Sequence, residues 1–233
     1  MKLDNAIVFI TGANRGIGLA FAQEALKRGA RKVYAAARNP ASVTLPGVEA
    51  IQLDVTKPDE IAAAVRRCGD VTLLINNAGI ASPGGFLPEG SEASARAQME
   101  TNFFGPLRLS QAFAPVLAAN GGGAILNVLS VASWINRPLL GVYGATKSAA
   151  WALTNGLRHE LRAQGTQVVG MHVGFVDTDL TRGIDFPKST PGVVVARTFD
   201  ALEAGAEEVL ADEITRQVKQ GLSAEPGVYL VAP

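Results

Sequence analysis

The sequence of 233 residues predicts an α/β fold: a doubly wound, mostly parallel sheet of seven strands with helices on both faces. Three observations predict it. Short continuous apolar runs recur along the whole chain, as strands buried on both faces require. Segments of helical periodicity separate those runs, and such alternation builds a parallel sheet. The first apolar run ends in a glycine-rich turn that opens a helix.

Composition narrows the function classes. Lys plus Arg equals Asp plus Glu at 21 each, so there is no basic surplus of the kind that nucleic-acid binding leaves. Cys68 is the only cysteine, and His159 and His172 are the only histidines. That excludes an intramolecular disulfide and argues against a metal site. No run is long and apolar enough to cross a bilayer, and no signal-peptide pattern precedes the first strand. The expectation is one cytoplasmic domain over residues 1–233, bound neither to nucleic acid nor to a membrane.

Taken in order, residues 6–10 read as the first strand. Gly12, Asn14, Arg15, Gly16, Ile17 and Gly18 form the turn after it, with G-x-x-x-G-x-G spacing. Its glycines bring backbone N–H groups and a helix N-terminus to a pyrophosphate, as in Rossmann-like units. Residues 31–37 are the second strand, left through Arg38. An acidic residue near this point would accept from ribose hydroxyls. Ala37 and Arg38 instead offer no carboxylate and one guanidinium, with Arg15 as a second cation, which points to NADP(H). Residues 48–53 are the third strand, followed by Asp54 and Val55; Asp54 either accepts from an adenine amino group or starts a turn. A helix begins at Pro58. The fourth strand, 71–75, runs into Asn76, Asn77, Ala78 and Gly79, where a ligand can lie against the backbone. Residues 91–119 read as a long helix interrupted at Asn102 to Pro106, since proline withholds a donor.

Residues 124–129 are the fifth strand, and Ser130 stands at its end. Tyr143 and Lys147 open the next helix at i and i+4, on one face. A phenol titrates near 10 and handles protons poorly at neutral pH. A cation held beside it lowers that value, and the phenol then exchanges a proton with a carbonyl or alcohol. Residues 167–173 are the sixth strand, ending in Gly174. The irregular stretch 175–192 reads as a substrate-binding loop. Residues 193–222 read as one helix and 227–231 as the closing strand. Phe86, Trp134, Phe175, Leu180 and Phe186 are candidates for an apolar pocket, each with core packing as the alternative.

Together, the segment Thr11 to Gly18, Asp54, Asn76 to Gly79, Asn102, Ser130, Tyr143-x-x-x-Lys147 and Val176-x-Thr178 resemble the short-chain dehydrogenase/reductase family of the classical type. The resemblance covers most of the chain and implies an NADP(H)-dependent oxidoreductase that interconverts a ketone or aldehyde and an alcohol. It implies Tyr143 as general acid/base and Ser130 as the group that binds the substrate oxygen. Lys147 would hold ribose hydroxyls and lower the Tyr143 pKa, and Asn102 would support a water on the proton path. Gly12, Arg15, Ile17 and Gly18 would border the phosphates, Asn77 and Gly79 would follow the cofactor, and Val176 and Thr178 would meet its carboxamide. It also implies a homodimer or homotetramer. One departure is Val173-Gly174 where the family usually has Pro-Gly; valine keeps its N–H, so the strand is expected to run one residue further. Two other readings share the pattern: a reductase of a carrier-bound or biosynthetic keto intermediate, for which Arg137 and Arg182 would supply a basic rim, and a non-catalytic NADP-binding regulator.

Overall fold

The structure is a computed structural model that describes residues 1–230. The seven strands are β1 (Ile7–Thr11), β2 (Lys32–Ala37), β3 (Glu49–Gln52), β4 (Leu73–Asn76), β5 (Ala124–Val128), β6 (Gln167–His172) and β7 (Glu208–Leu210). They form one sheet in the order β3-β2-β1-β4-β5-β6-β7, and every pairing is parallel. The order reverses between β1 and β4. At such a switch point the connections leave in opposite directions and open a crevice at the strand C-termini.

The helices are α1 (Gly16–Lys27), α2 (Pro58–Arg67), α3 (Ser91–Met99), α4 (Gly105–Ala119), α5 (Gly141–Glu160), α6 (Pro191–Glu203) and α7 (Glu213–Gly221). Alternate residues of β1 serve opposite faces, as the pleat dictates. Val8 and Ile10 join Phe21 of α1 and Phe199 of α6 in one core. Ile7 and Phe9 join Ile61 of α2, Phe113 of α4 and Leu157 of α5 in the other.

Two expectations near the C-terminus are corrected. Residues 193–222 are not one helix: α6 ends at Glu203, and β7 and α7 follow. The seventh strand is therefore Glu208–Leu210, while residues 227–230 form a turn and Val231 lies outside the described residues. A three-residue strand is too short to show its period. Strand β6 also stops at His172 rather than at Val173, although the Val173 carbonyl still accepts from Val131 N–H at 2.9 Å. Among the described residues no helix is long and apolar enough to cross a membrane.

Candidate active site

A cleft of about 1470 Å³ opens along the C-terminal ends of the strands. Gly12, Asn14, Arg15, Gly16, Ile17, Arg38, Asp54, Val55, Asn77, Ala78, Gly79, Ser130, Tyr143, Lys147, Gly174, Val176 and Thr178 all line it. Of the residues assigned from the sequence to catalysis or cofactor binding, only Gly18 and Asn102 stand behind its wall.

The end of the cleft along β1 to β3 is built on backbone. Gly12 adopts φ +65°, a conformation that favours glycine. Gly18 is required by close approach: a Cβ there would sit 2.1 Å from Gly12 O and 2.6 Å from Asn77 Nδ2. Thr11 ties the two motifs together, since its hydroxyl accepts from the N–H groups of Asn77 and Ala78, both at 2.9 Å. Asn77 Nδ2 returns a bond to Thr11 O at 2.8 Å. Arg38 is exposed and has no ion pair among the described residues, whereas Arg15 Nη1 pairs with Asp179 Oδ2 at 3.0 Å. Asp54 starts a turn: its Oδ1 accepts from Thr56 N at 3.0 Å and from Thr56 Oγ1 at 2.7 Å. Burial pushes its pKa up, but the Thr56 bonds with Lys57 and Arg38 outweigh this and hold it below the usual carboxylate range.

The other end is built on buried side chains. Ser130 caps a short 3-10 turn, Val131–Ser133, and its Oγ accepts from Ala132 N–H at 3.1 Å. Helix α5 approaches this turn closely because Gly144 has no side chain; a Cβ there would meet Asn136 Oδ1 at 2.9 Å and Ala132 O at 3.1 Å. The approach sets the Tyr143 phenol on the same side of the cleft as Ser130. One turn on, Lys147 is 6% exposed and its Nζ donates to Val128 O at 2.8 Å, 5.7 Å from the centre of the Tyr143 ring.

Burial dominates the Tyr143 phenol and pushes it up to about 12, and Ser130 is the group that opposes that push. The ring stays partly open to the cleft. Lys147 responds to burial in the opposite sense and falls to about 8. Removal from water disfavours whichever form is charged, so phenol and amine move apart.

Asn102 occupies a π-helical turn, Glu100–Phe104, between α3 and α4, closed by Gly105 N–H onto Glu100 O. Its amide is fully committed: Oδ1 accepts from Ile80 N, and Nδ2 donates to Ile80 O and Thr146 Oγ1, each at 2.9 Å. Pro106 has no N–H to give the Asn102 carbonyl. The same turn lies against the lysine, since a Cβ on Gly79 would be 3.3 Å from Asn102 Oδ1 and 3.8 Å from Lys147 Nζ.

The apolar end of the cleft includes Leu139, Leu140, Phe175, Leu180, Ile184 and Phe186. Phe175 and Phe186 stack at 5.5 Å. Trp134 is not among the cleft's lining residues; it packs inward on His172 with ring centres 3.8 Å apart. Phe86 is exposed at Gly141 and does not line the cleft either. Arg137 stands at the rim, while Arg182 is drawn off by Asp179.

Thr146 and Asp212 carry weight that no sequence pattern marked. Asp212 Oδ2 accepts from Gly174 N–H at 2.7 Å and so anchors the loop after β6. The Asp212–Thr215 capping box of α7 was legible in principle, but its reach to Gly174 was not.

Residues 6–187 match the family model described as short chain dehydrogenase. The short-chain dehydrogenase ptmH of Penicillium ochrochloron is 38% identical over 188 residues, 76% of this chain and 68% of that protein. A short chain dehydrogenase from Burkholderia cenocepacia, solved in complex with NADP, is 36% identical, covers 100% of both chains and superposes with a TM-score of 0.94. One from Burkholderia phymatum, solved with NAD, is 24% identical, covers 100% of this chain and 99% of its own, and shares the fold at a TM-score of 0.86.

Proposed function

The chain belongs to the short-chain dehydrogenase family, and from that premise we propose that it is an NADP(H)-dependent oxidoreductase interconverting a ketone or aldehyde with the corresponding alcohol. The observation that carries the reading is that Ser130 and Tyr143 line the same cleft as the glycine turn, with buried Lys147 one helical turn from Tyr143.

The residues present fit a dinucleotide. Gly12 and Gly18 leave a cradle that a side chain would fill, Gly16 to Ile17 open α1 toward it, and Arg38 offers an unpaired guanidinium for a 2′-phosphate. Asn14, Arg15, Asp54, Val55, Asn77, Ala78, Gly79, Gly174, Val176 and Thr178 complete its contacts. The NADP complex of the Burkholderia cenocepacia relative supports the same choice. The nicotinamide, when bound, supplies or accepts the hydride.

The chain's own work is to orient and to move a proton. Ser130 presents its O–H to the substrate oxygen, because Ala132 N–H already occupies one of its lone pairs. Tyr143 gives its phenolic proton to that oxygen in reduction and takes it back in oxidation. Lys147, still mostly protonated at neutral pH with a pKa of about 8, stabilises the phenolate that is left. Asn102 joins the 79–80 loop to α5, and its carbonyl is the acceptor that can hold a water leading to Lys147. Leu139, Leu140, Phe175 and Phe186 favour an apolar substituent on the carbonyl, with residues 175–192 as the substrate-binding loop.

The test is consumption of NADPH and of NADH, in parallel, against a panel of ketones and aldehydes. NADPH turnover that vanishes in Tyr143→Phe is expected. Preferential use of NADH would overturn the cofactor assignment, and turnover that survives Tyr143→Phe would overturn the acid/base assignment.

A further inference from the structure

One buried polar cluster lies behind the catalytic serine. His172, the last residue of β6, is 0% exposed. Its Nδ1 is 3.0 Å from Ser133 Oγ and 3.3 Å from Ser130 O. The Ser133 hydroxyl donates to that same carbonyl at 2.6 Å. Its single proton is thereby committed, so Ser133 presents a lone pair to the imidazole. Two acceptors thus face Nδ1, and a bare nitrogen there would meet only lone pairs. Nε2 has no hydrogen-bond partner, so nothing draws the proton to the other side of the ring.

The charges around the ring agree. Glu208 Oε1, on β7, is 3.7 Å from Nε2 and by itself would favour an imidazolium. Lys219 of α7 neutralises it, with Nζ 3.0 Å from Oε1 and 2.9 Å from Oε2. Burial comes first in holding the His172 pKa down to about 3; the Ser130 carbonyl opposes it, and Lys219, Arg158 and Lys147 add to it. Trp134 stacks on one face of the ring and Trp151 meets it edge-on, fixing its plane.

We infer that His172 is a positioning residue for Ser130: its Nδ1–H and the Ser133 hydroxyl hold the Ser130 carbonyl and thereby set the direction in which the Ser130 hydroxyl faces Tyr143. The inference rests on the proposed roles of Ser130 and Tyr143. Ser130 is pinned on both sides, by His172 and Ser133 at its carbonyl and by Ala132 N–H at its Oγ, and its hydroxyl proton is left for the cleft. A strand end alone would leave the serine free to turn. Misplacement of a reacting group by about 1 Å costs on the order of a hundredfold in rate.

The test compares His172→Leu, His172→Asn and Ser133→Ala with the native enzyme. His172→Leu should lower kcat by about ten- to a hundredfold while KM and the Kd for NADPH stay level. His172→Asn, whose amide N–H stands near the Nδ1 position, should recover most of that loss, and Ser133→Ala should lower kcat in the same direction. Independently of turnover, ¹⁵N NMR of the native protein should show His172 protonated at Nδ1 and bare at Nε2 between about pH 5 and pH 8. A folded His172→Leu with native kcat overturns the inference, as does an Nε2–H tautomer. Should His172→Leu fail to fold, Ser133→Ala and the NMR decide. If the native enzyme reduces no carbonyl while His172 is protonated at Nδ1, the reductase reading fails and the hold on Ser130 stands.

Discussion

The two ends of the cleft are made in opposite ways. Around β1, β2 and β3 the cleft is walled by backbone and exposed charges: the glycine turn, Arg15 and Arg38. Around β4, β5 and β6 it is walled by buried side chains, each held by a different element. Asn102 is tied to Ile80 and Thr146, Lys147 to Val128, and Ser130 to Ala132 and His172. The difference teaches where change is cheap. An exposed guanidinium can be lost for little, because water takes over its hydrogen bonds. A buried polar group cannot be lost alone, because its partner is left unsatisfied.

The sharpest way to break this contrast is Tyr143→Phe. It should cost about 10²- to 10⁴-fold in kcat/KM with the fold intact, as steady-state kinetics and a thermal melt would show. Next comes Gly18→Ala, where the nucleotide end is expected to be as unforgiving as the other. With the new Cβ 2.1 Å from Gly12 O, the turn must move, and a loss of about 1–3 kcal/mol in urea unfolding should accompany loss of NADPH binding. A Gly18→Ala protein with native affinity would mean that the turn yields freely.

A third measurement sharpens the buried side. The folded chain holds the His172 pKa at about 3, whereas the unfolded chain takes the proton near 6.5. Between those values the unfolded state binds one more proton, so stability is whole above 6.5 and falls as pH drops toward 3. The contribution is on the order of 1 kcal/mol per pH unit. Urea midpoints from pH 6.5 downward should therefore fall more steeply for the native protein than for His172→Asn. The smallest effect is expected at Arg38→Ala, about 1 kcal/mol or roughly fivefold in NADPH affinity, with NADH unaffected. Titration with both nucleotides checks it, and a hundredfold loss would make Arg38 as indispensable as the buried groups.

Much of this was legible before any coordinates. The turn between β1 and α1 is local, so glycine spacing and an apolar run sufficed. Tyr143 and Lys147 share a face because helix geometry relates i to i+4, and their joint entry into the cleft follows. The misread elements lacked such a period. Strand β7 has three residues, and its neighbours α6 and α7 are both amphipathic, so together they resemble one helix. Trp134 could have faced either way until the loop's path was known.

What the sequence determined by itself is the order of strands and helices as far as α6, the glycine turn, and the set of residues at the strand ends. Each depends on neighbours within a few positions, where backbone geometry alone relates side chains. The tertiary structure decided how those residues are held. His172 reaches Ser130 across 42 positions, Asp212 reaches Gly174 across 38, and Thr11 reaches Asn77 across 66. It also decided that burial moves Tyr143 up and Lys147 down. Such contacts form only when separate strands align, and desolvation is a property of everything packed around a group.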